Sequence, residues 1–368
     1  MPKLLLARKD AKLDNDSFIS KYRPRLNKVE LGCSFSPEQW TDSEISSGRA
    51  LLALNIIINQ LNIRQIRLGL RWDKIVDENG QLSLKYYKPF LDYCILNKVD
   101  ICLNIGPIKT FRWPEQHVPN KVLNSLSKIP KKGAKIILSS ELGIVASEYI
   151  NSLGDLLKID YGTYELNMIK TIQIENEPYF KFGKYEWYST DLYLYHLITN
   201  ISQKFPNAGI MLNSAGRLNI QQILHMFQYL NNKQLNTYPQ LTLGYDYYYK
   251  YPTFYNIPLL NILDNIILSY PWNVSCLKLL NIVNTLKFNL EVTEAQMEPW
   301  GNVKSPGNSV IDLRFVLLRC IQNLQTDDSR LLIRLWGIER LANIIIDKTY
   351  SIDHVDMIDL ITKVSRAV

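Results

Sequence analysis

Eight times between residue 29 and the C-terminus, a short β-branched or apolar run is followed by a longer stretch of helical period. This alternation limits the fold more than any other property of the chain. The runs are Val29 to Phe35, Gln65 to Arg71, Asp100 to Ile105, Ile169 to Asn176, Gly209 to Asn213, Leu241 to Tyr248, Phe288 to Thr293 and Leu331 to Trp336. The helical stretches are Ser43 to Asn62, Tyr86 to Asn97, Leu138 to Lys158, Thr190 to Lys204, Asn219 to Leu230, Ile257 to Leu286 (broken near Pro271), Ile311 to Asn323 and Val355 to Ser365. Parallel strands need a crossover, so a helix after each strand predicts an α/β fold with helices covering a parallel sheet. Eight units predict a single-domain (β/α)8 TIM barrel over residues 28–368, preceded by a polar N-terminal extension over residues 1–27. A doubly wound sheet would need a glycine-rich phosphate turn after its first strand, and that loop reads Gly32-Cys33-Ser34-Phe35-Ser36-Pro37.

Composition narrows the function. The net charge of +7 is spread among acidic residues, apart from short clusters such as Lys21 to Arg25, so no basic stripe marks a nucleic-acid partner. No apolar run approaches the ~20 residues of a membrane span, and the apolar stretch near Met1 is too short for a signal peptide. The expectation is a cytoplasmic protein that uses no membrane. Five cysteines, odd in number and widely spaced, suggest reduced core residues. Four histidines share no ligand spacing, so neither a metal nor another cofactor is expected.

A barrel of this kind builds its active site at the C-terminal ends of its strands. The fourth run ends in Gln173-Ile174-Glu175-Asn176-Glu177-Pro178. The seventh ends in Glu291-Val292-Thr293-Glu294 and leads into Met297-Glu298-Pro299-Trp300. Glutamate is depleted in strands, so its recurrence where two apolar runs close demands a reason. One reason is glycoside hydrolysis with retention, which needs one carboxyl group to protonate the leaving oxygen and a second to attack the anomeric carbon. A lone glutamate at a strand end would more simply be a rim ion pair or a helix cap. Glu175 and Glu291, inside their runs, are read as structural partners of basic residues.

The Asn176-Glu177-Pro178 tripeptide with Thr293-Glu294 resembles the retaining (β/α)8 glycosidases of the clan that includes β-galactosidases, cellulases and xylanases. The run Gln173 to Glu177 is most similar to its β-galactosidase families. The resemblance implies that Glu177 is the acid/base, Glu294 the nucleophile, and that Asn176 hydrogen-bonds the sugar 2-hydroxyl. It further implies that Arg67 holds the nucleophile ionised, that Tyr248 donates to it, with the adjacent Tyr247 an alternative, and that Trp336 floors the subsite of the reacting sugar. Trp113 and Trp300 are expected to touch sugar as well, and Arg112, Glu115 and His117 stand beside Trp113 in a third loop that matches no motif of the clan. Glu298 is a rival nucleophile should the seventh strand end later. The expected substrate is an oligosaccharide or glycoside with a β-linkage. The competing class is a carbohydrate-binding barrel without turnover. Sugar, linkage, exo or endo action and oligomeric state are not legible in the sequence.

Overall fold

The computed structural model describes residues 6–7, 9–40, 44–77, 80–215, 217–232, 240–247, 283, 288–296, 309–325 and 330–366. The expected helix Ile257 to Leu286, except Val283, and Tyr248, Trp272, Cys276, Glu298 and Trp300 lie outside them. Eight strands are present: β1 (Val29–Phe35), β2 (Gln65–Gly69), β3 (Asp100–Asn104), β4 (Ile169–Gln173), β5 (Gly209–Ser214), β6 (Leu241–Tyr247), β7 (Asn289–Gln296) and β8 (Leu331–Trp336). Each pairs with its sequence neighbours and β1 pairs with β8, closing a parallel barrel, so the expected (β/α)8 fold is the observed one.

The chain divides into two compact units. In the first, Met1–Ile66 with Tyr245–Val368, β1 registers on β8 from Val29 opposite Leu331 to Cys33 opposite Leu335. The ladder of β8 on β7 shifts by one residue between Ile333 and Leu335. This bulge accompanies a β7 that runs on to Gln296, past the Thr293 read from the sequence. The N-terminal segment read as polar carries a helix, Asn15–Leu26, opened by Asp14, whose side chain accepts from the Ser17 amide. It buries Phe18 and Leu26, and Asn15 accepts from both Arg314 Nε and Nη2 while donating to Asp359 and to the Asp356 carbonyl. Only two large apolar side chains anchor this helix, and polar contacts complete its attachment. Helix Ile338–Asp347, which the sequence reading did not identify, follows β8 directly, and its Glu339 side chain accepts from the Ser36 amide at 2.9 Å.

In the second unit, Arg67–Gly244, β4 registers on β3 and β5. The helices Glu141–Asp160 and Asp191–Lys204 turn apolar faces inward, with Ile150, Leu153, Leu157, Leu194, Leu197 and Ile201 all buried. Ser140 caps the first of them through the Gly143 amide, a contact worth about 1 kcal/mol. Residues 135–136 and 188–189 add a two-stranded ladder. Sequence and structure part at the end of β4. The strand stops at Gln173 rather than running to Asn176, because Glu175 and Glu177 take left-handed backbone conformations, with φ of 54° and 42°, that no strand accommodates.

Candidate active site

The C-terminal ends of β2 to β5 deliver polar side chains into the interior of the second unit, and these bind one another. Arg67 on β2 is fully buried over the ring of Phe111, its guanidinium carbon 4.2 Å from the ring centre. Its Nε donates to Gln173 Oε1 and its Nη2 to Asn176 Oδ1, both at 2.7 Å. Asn176 Oδ1 also accepts from Asn213 Nδ2 at 3.0 Å and Gln173 Nε2 at 3.2 Å, while Asn176 Nδ2 donates to Glu115 Oε2 at 2.8 Å. With donors gathered on the oxygen and an acceptor on the nitrogen, the amide can sit only one way round. Asn213 Oδ1 in turn receives Gln173 Nε2 at 2.7 Å and the Glu177 amide at 2.9 Å.

Glu177 is buried, and its Oε1 accepts from the Ala215 amide at 3.0 Å. Glu175, two residues earlier, is treated differently. Its carboxyl group is fully buried and accepts from the amides of Ile108 and Lys109 and from Tyr193 Oη. Burial pushes its pKa up to about 7, against the lowering effect of those hydrogen bonds and of the Lys109 charge. Tyr193 stays protonated, because burial and then the Glu175 charge raise its pKa well above the usual value. Its hydrogen-bond donors are backbone amides and a phenol, and the basic residue beside it is Lys109, whose charge favours its ionised form.

The third loop is less a sugar-facing surface than the sequence implied. Arg112, Glu115 and His117 are each buried, whereas Trp113 is 67% exposed with its ring edge-on to Phe182. The loop packs so closely on β4 that a Cβ on Gly106 would stand 2.0 Å from the Lys109 carbonyl oxygen and 2.6 Å from Glu175 Cα, so only glycine fits.

In the first unit, Glu294 lies within β7 and is buried. Beside it, Thr293 Oγ1 donates to Asp246 and the Thr293 carbonyl accepts from Ser34 Oγ at 3.2 Å. Glu291 forms an ion pair with the buried Arg334 of β8, the structural role read for it. Trp336 closes β8 and is buried, and Tyr247 closes β6 and is buried; Tyr248 and Trp300 fall outside the described residues. The structure thus brings Arg67 and Asn176 together with Glu177. Gln173, Asn213 and Lys109 complete that group without having been assigned roles from the sequence. Gln173 stood in the motif of the fourth run, and Asn213, a polar residue ending an apolar strand run, carried a similar signal.

Among the described residues no group of histidine, cysteine or acidic side chains could hold a metal ion, and no helix is long and apolar enough to cross a membrane. Four of the described cysteines are buried thiols, and burial raises Cys94 to about 12, so that it remains an inert thiol.

No family model and no curated protein matches the chain. Solved structures do. The chain is similar to the GH5-4 broad specificity endoglucanase from Clostridium longisporum, with a TM-score of 0.55 at 13% identity over 93% of this chain and 97% of that one. It is similar to PbGH5A, a glycoside hydrolase family 5 enzyme from Prevotella bryantii, with a TM-score of 0.53 at 7% identity over the same shares. It is similar to TsXylA, an intracellular xylanase from Thermoanaerobacterium saccharolyticum in complex with xylotetraose, with a TM-score of 0.52 at 14% identity over 86% and 88%. At these identities the likeness is one of fold: the barrel is of the kind found in these glycoside hydrolases.

Proposed function

We propose that the chain is a retaining glycoside hydrolase that cleaves a β-glycosidic bond by double displacement, with Glu177 as acid/base and Glu294 as nucleophile. The observation that carries this reading is the buried array at the end of β4, where Arg67, Gln173 and Asn213 fix Asn176 beside Glu177. Holding one amide orientation with so many buried polar groups costs desolvation, a cost that makes sense where the carboxyl group beside it must be aimed. In a parallel barrel the C-terminal ends of the strands build the site, which is why the glutamates of the fourth and seventh strand motifs are taken as the pair.

In the first step the Glu294 carboxylate attacks the anomeric carbon while Glu177 gives its proton to the departing oxygen. In the second, Glu177 takes a proton from water as that water breaks the glycosyl ester, releasing Glu294. Asn176 serves the sugar 2-hydroxyl, Arg67 and Tyr248 favour the ionised nucleophile, and Trp336, Trp113 and Trp300 offer faces to sugar rings. The xylotetraose held by the xylanase neighbour and the activity of the endoglucanase neighbour favour an oligosaccharide substrate.

The test is a panel of aryl β-glycosides. Replacement of Glu294 by Gly should lower hydrolysis by about 10⁴-fold or more, with azide restoring turnover and giving the product of inverted configuration. Replacement of Glu177 by Ala should spare dinitrophenyl glycosides, whose leaving group needs no proton. A wild-type chain that binds oligosaccharides yet turns over no activated glycoside would instead be a carbohydrate-binding barrel.

A further inference from the structure

One residue of the third loop grips three consecutive residues of the fourth. The Lys109 amide donates to Glu175 Oε2, the Lys109 carbonyl accepts from the Asn176 amide at 2.8 Å, and Lys109 Nζ donates to the Glu177 carbonyl at 2.9 Å and to the Phe180 carbonyl at 3.0 Å. Lys109 is 1% exposed, so its ammonium cannot meet a substrate directly. A buried ammonium is costly unless carbonyl oxygens and a carboxylate compensate it, and Glu175 is the carboxylate that its charge favours in the ionised form. The second oxygen of Glu175 is held by Tyr193 Oη at 2.9 Å from helix Asp191–Lys204, so the grip is anchored to the helical layer.

We propose that Lys109, with Glu175 and Tyr193 behind it, is a positioning residue that fixes the left-handed turn at Glu177 and so the direction in which its carboxyl group is presented. Non-glycine residues in that conformation persist only when their surroundings over-determine it, and here the surroundings are these bonds. A lysine suits the task because three donors on a four-carbon stem reach two carbonyls at once. The inference rests on the reading of Glu177 as the acid/base.

The experiment is Lys109→Met, with Tyr193→Phe as a milder variant should the first fail to fold. A misdirected general acid harms only substrates that need protonation. For Lys109→Met, kcat on an alkyl glycoside should fall at least about 30-fold, while dinitrophenyl glycosides and KM stay within about threefold. Tyr193→Phe should show the same selectivity at smaller size. Equal losses on both substrate classes would reduce Lys109 to a general support of the fold and overturn the proposal. Amide hydrogen exchange separates this outcome from failure of the functional reading. If the wild-type chain hydrolyses no glycoside, that reading falls, and faster exchange at the Asn176 and Phe180 amides of Lys109→Met, with the rest of the barrel unchanged, still upholds the grip. Unchanged exchange there would overturn it.

Discussion

Two glutamates follow β4 and two lie within β7, and the two regions handle them in opposite ways. After β4 the chain leaves the sheet at once, and Glu175 and Glu177 sit in a left-handed loop where backbone amides are the donors. β7 runs on through both of its glutamates, and Glu291 meets the Arg334 side chain of the next strand. At Glu175 burial raises the pKa against amide hydrogen bonds and a Lys109 charge that lower it, whereas Glu291 is matched directly by a guanidinium. The same residue type is thus a loop anchor in one place and half of an ion pair in another.

The strongest challenge to this division compares the two glutamates of the β4 loop. Glu177→Gln removes the acid/base and should cut hydrolysis of unactivated glycosides by about 10²-fold to 10⁴-fold. Glu175→Gln keeps one acceptor oxygen of the two that the Ile108 and Lys109 amides use, and should stay within about tenfold of the wild type. Steady-state rates on one alkyl glycoside decide it; similar losses at both positions would make Glu175 part of the chemistry rather than of the scaffold.

The next test sets Glu291 against Glu175 in stability. Glu291→Gln strips a buried guanidinium of its carboxylate and should destabilise the fold by about 3 kcal/mol, read from urea unfolding at pH 7. Glu175→Gln should act in the other direction. The folded chain holds the Glu175 proton up to about pH 7, whereas the unfolded chain releases it near 4.5. Between those values the native state binds more protons, so this group lowers wild-type stability as pH rises from about 4.5 to about 7, by up to about 3 kcal/mol. The charges and dipoles facing it are those of Lys109, Tyr193 and Tyr149. Glu175→Gln should abolish that slope; a slope that survives would place the titration elsewhere.

The difference between the two ends also marks what could be read beforehand. Repetition of strand and helix made the barrel legible, since each run such as Val29 to Phe35 or Leu331 to Trp336 carries its own apolar signal. The Glu177 and Glu294 motifs were visible because glutamate is out of place at the close of an apolar run. The turn at Gln173 was not, because the left-handed residues are glutamates rather than glycine or asparagine, and their conformation is imposed by Lys109 from another loop. Tyr193 lies on a helix whose apolar period explains it equally well as core, so its bond to Glu175 had no signature in the sequence. Helix Asn15–Leu26 escaped for a related reason: much of its attachment is polar, through Asn15 and Arg314, and leaves no apolar stripe.

The smallest expected effect concerns Trp113, the exposed member of a loop whose other polar residues are buried. Its ring touches the edge of Phe182 and is otherwise largely open to solvent, so Trp113→Ala should change stability by about 0.5 kcal/mol or less. An indole left in water has no role in folding, but its face suits the C–H side of a sugar ring. If Trp113 touches substrate, the variant should raise KM for oligosaccharides about threefold to tenfold and leave aryl monoglycosides unchanged, because a ring stacked away from the scissile bond adds binding that is equal in ground and transition states. Equal KM values for both substrates would remove Trp113 from the cleft. The loop would then serve the β4 end only from within, through Lys109 and Glu115.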